Sequence, residues 1–469
     1  MFALTEREKV AHLLRRFGLG ASESEVDYYG KNGLKGAIDL LFAYEKVEES
    51  FTREFTDFIP AGLPPRMPQL QSWWGIKLVT TRRPLVEKMV LFWHNHFATS
   101  AMKVDSPFAM LAQNNIFRES GLGSFRDLLL AVSTDPAMLF WLDNQDNVAG
   151  KPNENFAREI MELFTLGIGH YTEKDIQEAA RAFTGWTFGR GPLKNAAGFP
   201  KGSKFRFVPE LHDDGVKTFH GQTGKFHGED IIDLLCSMPR TAEFITRKMW
   251  TWFAYADPSE ALIKRLTDKF IASKLEISVL VRAIMEAPEF YSEQCYGRMV
   301  KSPVDYVVST LRSLGLGSTL ADMSGDLDDA GARRRFGPAV AANGSMKAMG
   351  MELFYPPDVS GWAIGLAWIS SATMVERIKW ASKLFDQRAA GAAVRYPAVG
   401  IFELGSSPAQ AARTLAGILD ARIPESKMKQ LEEAAQAAAM DQPVSARNAN
   451  TIAYAVAKLL FGTPEFQFQ

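Results

Sequence analysis

The sequence predicts an all-α protein, a large multi-helix globular fold with one small β-hairpin insertion near residues 204–220. Three observations predict this class. Helical periodicity of the apolar residues runs through most of the 469 positions, one short stretch alternates polar and apolar residues, and hydrophobic residues make up 46% of the chain. A chain of this length and composition can bury a large core.

In the N-terminal part, apolar residues recur at helical spacing between clear start and stop signals. Asn153 is a good N-cap for one predicted helix, and Thr172-Glu-Lys-Asp175 resembles a capping box at the start of the next. The predicted helices are Thr5–Phe17, Gly33–Ala43, Gln69–Thr80, Pro84–Phe97, Pro107–Glu119, Ser124–Val132, Glu154–Leu166 and Thr172–Trp186.

The predicted β-hairpin follows these helices. Lys204–Val208 alternates polar and apolar residues, His212-Asp-Asp-Gly215 is typical of a turn, and Val216–Phe219 follows it. With His220 and His227 nearby, the turn forms a polar cluster. Because aspartate and glycine are common in turns in any case, the sequence favours turn chemistry over a binding site here.

Helical spacing resumes after the hairpin. The chain is expected to divide into a main helical domain at 1–314, which includes the insertion at about 190–228, a loop or insertion at 315–344 rich in Gly, Ala, Asp and Arg, and a helical part at 345–469 that packs on the main domain. The further predicted helices are Asp230–Ser237, Arg240–Ala254, Ser259–Ala272, Ser278–Glu286, Pro303–Leu314, Ala372–Asp386, Pro408–Leu419, Ser426–Ala438 and Ala449–Phe461.

Composition excludes several classes of protein. The net charge of -1 disfavours nucleic-acid binding, and two cysteines, Cys236 and Cys295, are too few for a disulfide framework or a cysteine-only zinc site. The sequence contains no run of about 18 apolar residues, so no membrane span is predicted. The N-terminal residues lack the features of a signal peptide, so the expected location is cytoplasmic by default.

His94 and His96 suggest a metal-binding pair. In a continuous helix, residues two apart point about 160° away from each other. Both histidines can therefore bind one metal only if the helix ends near Trp93. Otherwise His96 is a buried histidine hydrogen-bonded to a neighbouring helix, and His94 lies on a polar face.

A second candidate site lies on the predicted helix Glu154–Leu166, where Asn155, Glu159 and Glu162 share one stripe. Two glutamates at i and i+3 can share a cation, or one can raise the pKa of the other for acid–base catalysis. Alternatively, Arg158 and Glu162 at i and i+4 form a solvated, salt-bridged face.

These two groups suggest one cluster, because a turn after the glutamate helix would bring His170 near its C-terminal end. Imidazole and carboxylate ligands suit zinc, manganese or iron. The candidate catalytic residues are Asn155, Glu159 and Glu162, and the candidate metal ligands are His94, His96 and His170.

Several segments closely resemble a bacterial family catalogued as domain of unknown function 1800. The resemblance runs in order along nearly the whole chain, through Pro84–Ser100, Phe125–Asn144, Pro152–Trp186, Lys301–Val307 and Leu353–Trp362. It implies that relatives are commonly exported and are often encoded beside a sulfatase-like protein with a twin-arginine signal. This chain departs from the family's pattern by lacking an export signal and by placing Met351 where glutamine is expected.

Three functions follow as hypotheses. The first is a metal- or carboxylate-dependent enzyme, hydrolase-like, with a His/Glu site between the helices Pro84–Phe97 and Glu154–Leu166. The second, motivated by the resemblance, is a non-catalytic helical scaffold that binds the sulfatase-like partner and is exported with it. The third is carbohydrate binding through loops rich in aromatic and amide side chains.

Overall fold

The computed structural model describes residues 2–189, 203–317, 320, 337–386 and 396–469. In these residues helices dominate, and the β structure consists of two small two-stranded antiparallel sheets. The predicted all-α fold with a small β insertion is confirmed. Within the described residues, no helix is both long enough and apolar enough to cross a membrane.

Every helix that apolar spacing predicts is present, and five further helices among the described residues were not predicted: Glu23–Gly30, Ala101–Val104, Pro136–Trp141, Gly337–Ala348 and Pro464–Gln467. In the N-terminal part the helices are α1 Glu6–Phe17, α2 Glu23–Gly30, α3 Gly33–Phe42, α4 Met67–Thr80, α5 Pro84–His96, α6 Ala101–Val104, α7 Pro107–Ser120, α8 Phe125–Ser133, α9 Pro136–Trp141, α10 Asn155–Glu162 and α11 Glu173–Ala182. They continue as α12 Gly228–Ser237, α13 Pro239–Phe253, α14 Glu260–Ala272, α15 Ile277–Met285, α16 Pro303–Ser313, α17 Gly337–Ala348, α18 Ser371–Phe385, α19 Pro408–Ile418, α20 Glu425–Ala439, α21 Ala449–Leu460 and α22 Pro464–Gln467.

The helix starts are set by local side-chain hydrogen bonds. Thr172 and Asp175 form the predicted capping box of α11. At α10 the N-cap is Glu154, one residue later than predicted. The predicted cap, Asn153, still contributes, because its Oδ1 accepts a hydrogen bond from the backbone N–H of Asn155 at 3.0 Å.

The β structure differs from the single predicted hairpin. Strand β1 (Trp186–Phe188) pairs with β2 (Phe205–Phe207), and β3 (Lys217–Phe219) pairs with β4 (Gln222–Gly224). The predicted strand around Phe205–Phe207 therefore pairs with a strand whose first residue, Trp186, is the last residue of the predicted helix Thr172–Trp186. Helix α11 ends at Ala182, because Gly185 has a φ of +79° and turns the chain into β1.

The chain forms two compact units. The first comprises Met1–Leu85, Tyr291–Leu353 and Ala363–Gln469, and the second comprises Val86–Phe290 and Phe354–Trp362. The predicted domain boundaries at 314 and 344 stay predictions. Most of the predicted loop at 315–344 lies outside the described residues, and its last residues are helical from Gly337.

Buried aromatic rings fill the core of each unit. In the first unit Trp74 and Trp380 are almost completely buried, and in the second Trp93, Trp186 and Trp250 are. Rings of this size dominate core energetics. The second unit also contains both β-sheets and every candidate site residue that the sequence predicts.

Candidate metal centre

The predicted carboxylate stripe lies on α10. Asn155 is exposed, whereas Glu159 and Glu162 are partly buried. The hydroxyl of Tyr171 donates a hydrogen bond to Glu162. Burial and the nearby charge of Glu162 raise the pKa of Glu159, and burial together with the bond to Glu162 raises the pKa of Tyr171 to about 12.

The alternative interpretation of this face is a salt bridge between Arg158 and Glu162. In the structure Arg158 instead lies 2.8 Å from Glu173 and 3.5 Å from Glu154. The pair Glu159–Glu162 therefore lies beside the salt bridges of α10 and takes no part in them. One carboxyl of this pair has a raised pKa, and the other accepts a phenol hydrogen bond.

His94 and His96 are both buried, at 1% exposure each, and α5 continues through both. The Nε2 atom of His94 accepts a hydrogen bond from the backbone N–H of Phe354 at 3.2 Å, and its ring lies near Trp362. The Nε2 atom of His96 lies 3.2 Å from the carbonyl oxygen of Phe164. Burial lowers the pKa of His94 to about 3 and that of His96 well below its ordinary value.

The two imidazoles thus lie in different surroundings, and the condition for a shared metal, a helix that ends near Trp93, is not met. His170 is exposed in the turn between α10 and α11. Among the described residues, these histidines belong to no group of three His, Cys, Asp or Glu side chains whose ligand atoms lie within 4.8 Å of one another. A metal on His94, His96 and His170 stays a prediction.

One such group does occur in the described part of the chain, and it consists of His212, Asp214 and His227. His212 and Asp214 lie in the loop between β2 and β3, and His227 is the N-cap residue of α12. His212 is 7% exposed, whereas Asp214 is exposed to solvent. The group therefore joins a buried imidazole to a solvent-facing carboxylate.

Hydrogen bonds hold the loop of His212 rigidly. The Nδ1 atom of His212 donates to the carbonyl oxygen of Thr184 at 2.9 Å, and the backbone N–H of Asp213 donates to the hydroxyl of Thr184 at 2.8 Å. Asp213 also forms a two-pronged salt bridge with Arg181 at 2.8 and 3.1 Å, which lowers the pKa of Asp213 to about 2. Asp213 is thus engaged with Arg181, and Asp214 makes no hydrogen bond with the described residues.

The tautomer of His212 follows from its contact with Thr184. A carbonyl oxygen can only accept, so Nδ1 carries the proton and Nε2 presents a lone pair. That Nε2 atom is buried and has no hydrogen-bond partner. Burial also lowers the pKa of His212 and favours its neutral form. Metal-binding histidines characteristically donate their second ring N–H to a backbone carbonyl in this way.

Two glycines allow this arrangement because a side chain would not fit at either position. A Cβ atom at Gly185 would lie 2.7 Å from the carbonyl oxygen of Val208 and 3.3 Å from the backbone nitrogen of His212. A Cβ atom at Gly228 would lie 2.3 Å from the ring of Trp186. Gly185 therefore lets the His212 loop approach β1, and Gly228 lets His227 approach the same core.

The rings of His212 and His227 stack with centroids 4.4 Å apart and planes 12° apart. Two nitrogen atoms on one zinc ion, each at about 2.1 Å, lie at most about 4.2 Å apart, and each lone pair points along its ring plane. His227 must therefore turn its ring to bind a metal together with His212. His227 and Asp230 form a capping box at the start of α12, in which the backbone N–H of His227 donates to Asp230 at 2.8 Å, so this turn of the ring would exchange a capping contact for a metal ligand.

In the sequence, His212, Asp214 and His227 lie at or near a predicted turn, and turn chemistry is the favoured interpretation of that cluster. Two signals of the cluster were available in the sequence: the His-x-Asp spacing of His212 and Asp214, and the position of His227 just before a predicted helix. Burial of His212 and its contact with Thr184 could not be found from the sequence, because both depend on the return of the chain to the end of α11.

A cleft of about 840 Å³ in the first unit is a less suitable site. Its charged lining residues are Glu25, Arg82 and Arg312, and Arg312 forms an ion pair with Glu25 at 2.5 Å. Arg312 also donates to the carbonyl oxygens of Val79 and Thr81 at 3.0 Å each. Glu25 and Arg312 are therefore engaged with each other rather than directed at a ligand.

A family model described as "Protein of unknown function (DUF1800)" matches residues 12–468. No curated protein matches the chain, and no solved structure matches it.

Proposed function

The chain belongs to the family described as protein of unknown function (DUF1800), and we propose that it holds one divalent cation on His212, Asp214 and His227 and uses it in hydrolase-like chemistry. The observation that carries this proposal is the buried Nε2 atom of His212, which has a lone pair and no partner. A buried polar atom without a partner is costly, and a metal ion would remove that cost.

The chemistry of the ligands favours zinc, manganese or iron. Two imidazoles and one carboxylate are borderline ligands that these metals share. Three protein ligands also leave a coordination position open, which is the pattern of catalytic rather than structural zinc sites. His212, Asp214 and His227 would hold such a cation, which would supply Lewis-acid activation of water near neutral pH. The exposed Asp214 supports access from solvent.

We expect the substitution His212→Ala to weaken metal binding at least about 100-fold, because even the loss of an outer partner costs about 10- to 100-fold. The protein would be purified without chelators for elemental analysis, stripped, and titrated with Zn²⁺, Mn²⁺ and Fe²⁺ by calorimetry. The wild-type protein should bind one equivalent of one of these ions.

The matched control is His170→Ala, which removes an exposed imidazole and should leave binding unchanged. A wild-type protein that binds none of the three ions would refute the proposal. Loss of the ion in the His170 variant, with retention in the His212 variant, would instead locate the metal at the site that the sequence predicts.

A second candidate is metal-independent acid–base catalysis by Glu159 and Glu162. It is favoured by the raised pKa of Glu159 beside Glu162 and by the hydrogen bond from Tyr171. A carboxyl with a raised pKa holds its proton more readily, as a general acid requires, and a second carboxylate nearby is the usual complement.

For this pair, Glu162→Gln is expected to lower the pKa of Glu159, because the neighbouring negative charge that opposes its ionisation is removed. Tyr171 can still donate to the amide oxygen of the variant, so the packing is kept. The pKa would be followed by NMR with glutamate labelled at the carboxyl carbon, and Glu159→Gln would assign the signal. Glu286→Gln, an exposed substitution on another helix, is the control. An unchanged titration of Glu159 would count against a coupled pair.

The remaining hypotheses stay predictions. These are a metal on His94, His96 and His170, a scaffold role beside a sulfatase-like partner, and carbohydrate binding.

A further inference from the structure

Lys301 is the first residue of the segment Lys301–Val307, which lies outside the candidate metal centre. It is 7% exposed and precedes Ser302, the N-cap residue of α16. Its ammonium group lies 4.1 Å from the centroid of the Phe466 ring. Among the described residues, no carboxylate lies within ion-pair distance of this ammonium.

Two arginines likewise place their charged groups over an aromatic ring. The guanidinium carbon of Arg377 lies 4.8 Å from the centroid of the Tyr306 ring, and that of Arg422 lies 4.7 Å from the centroid of the Tyr296 ring. Arg377 is completely buried, and its Nε atom has no hydrogen-bond partner. In the described part of the chain neither arginine forms a close ion pair, although the charge of Asp305 interacts with Arg377 and that of Asp420 interacts with Arg422.

Hydrogen bonds tie Lys301 and Arg377 together. The Nη2 atom of Arg377 donates to the carbonyl oxygen of Lys301 at 2.8 Å, and its Nη1 atom donates to the side-chain oxygen of Gln467 at 3.1 Å. Lys301 also experiences opposing electrostatic fields: the charge of Asp420 raises its pKa, whereas the charges of Arg15, Arg422 and Arg377 lower it. These like charges, with burial as the larger cause, lower the pKa of Lys301 to about 8.

The nearby acids do not balance these cations. Asp420 is engaged by Arg15 in a two-pronged contact at 2.6 and 2.7 Å. Asp305 lies near enough to Arg16 to raise its pKa, although burial lowers that pKa more strongly. Glu8 is a third, exposed acid whose charge interacts with Arg15 and Arg422.

Lys301, Arg377 and Arg422 are therefore left as an excess of positive charge. An aromatic ring offsets part of the lost hydration of a cation but supplies no net negative charge. Buried charges in proteins are normally paired, so the buried Lys301 and Arg377, with Arg422 at the partly exposed edge, are incomplete without an anion.

We infer that Lys301, Arg377 and Arg422 form a binding site for a small oxyanion such as a phosphate group. The N-terminus of α16, a helix of 11 residues, follows Lys301 directly and adds its partial positive charge. Access is available on the side of Arg422 and Asp420, both of which are partly exposed. Arginine and lysine together supply the fork and the point charge that phosphate recognition uses.

Inorganic phosphate is the probe, with the ionic strength held constant by sodium chloride. Phosphate should raise the Tm of the wild-type protein in a saturable way, since a ligand that binds only the folded state stabilises it. Lys301→Met keeps the apolar stem and removes the charge. It should weaken phosphate binding at least about ten-fold and raise the Tm in the absence of phosphate, because like charges no longer repel.

The matched control is Lys379→Met, the same substitution at an exposed lysine of the same unit, which should bind phosphate as the wild type does. If Lys301→Met does not fold, Arg422→Gln at the partly exposed end of the site replaces it, with the same expected loss of binding. The inference is overturned if the wild type shows no saturable response to phosphate beyond that to chloride. Unchanged affinity in the folded variant would overturn it equally.

Discussion

Asp135→Asn is expected to stabilise the protein at pH 8 while leaving its stability near pH 4 almost unchanged. Asp135 is 2% exposed and is the N-cap residue of α9. Its Oδ2 atom accepts hydrogen bonds from the side chain of Gln113 at 2.9 Å and from the backbone N–H of Met138 at 3.1 Å. Burial outweighs both bonds and raises the pKa of Asp135 to about 7.

The direction of the pH dependence follows from that raised pKa. Folding favours the protonated acid, so its contribution to stability is complete below the unfolded pKa of 3.8 and is lost as the pH rises to about 7. A shift of this size corresponds to about 4 kcal/mol of the free energy of unfolding. Asparagine caps a helix as well as aspartate does and carries no charge, so the variant avoids this loss.

Urea denaturation at pH 4.5, 6 and 8 would measure the effect as the difference in the free energy of unfolding between variant and wild type. That difference should grow with pH. Asp127→Asn, an exposed substitution on α8, is the control and should give a small difference at every pH. A difference for Asp135→Asn that does not depend on pH would contradict the prediction.

Gly228→Ala is expected to destabilise the second unit by about 3 kcal/mol and to abolish metal binding at His227. The new methyl group would lie 2.3 Å from the Trp186 ring and 2.7 Å from the Phe183 ring, and both side chains are almost completely buried. Overpacking of a core typically costs about 1–3 kcal/mol, and two rigid aromatic rings place this site at the upper end. Because His227 precedes Gly228, any backbone shift moves the ligand.

The two effects can be separated by measuring unfolding in the presence of a chelator and metal affinity by calorimetry. The control is Gly344→Ala, in which the methyl group meets nothing within 4 Å on an exposed helical turn. That substitution should stabilise the protein slightly, because alanine favours helix more than glycine does. Wild-type stability and metal affinity in Gly228→Ala would show that the packing around Trp186 is looser than described.

The helices could be predicted because their signals are local. The spacing of Val10, Leu13 and Leu14 predicts α1 to within one residue, and Thr172 with Asp175 marks the start of α11. The strand that begins at Trp186 could not be predicted, because its hydrogen bonds are made with Phe205–Phe207. Trp186 has the apolar character of the preceding helix, and only this distant partner makes it a strand.

The candidate site shows the same limit. Sequence identifies imidazoles and carboxylates, but it does not show which of them are buried without partners. The ring nitrogen of His94 that is hydrogen-bonded depends on the backbone N–H of Phe354, and that of His212 depends on the carbonyl oxygen of Thr184. The pair Glu159–Glu162 was more accessible to prediction, because spacing along one helix brings both carboxylates together.

Both compact units are assembled from separate stretches of chain, and this has a consequence for synthesis on the ribosome. Met1–Leu85 belongs to the same unit as Ala363–Gln469. At a synthesis rate of about 5–20 residues per second, roughly 15 to 55 s pass between the completion of Leu85 and the synthesis of Ala363. The second unit is nearly complete at Phe290 but still lacks Phe354, the donor to His94. We therefore expect the nascent N-terminal helices to keep apolar surface exposed until the chain is nearly finished, which is the condition under which chaperones protect a nascent chain.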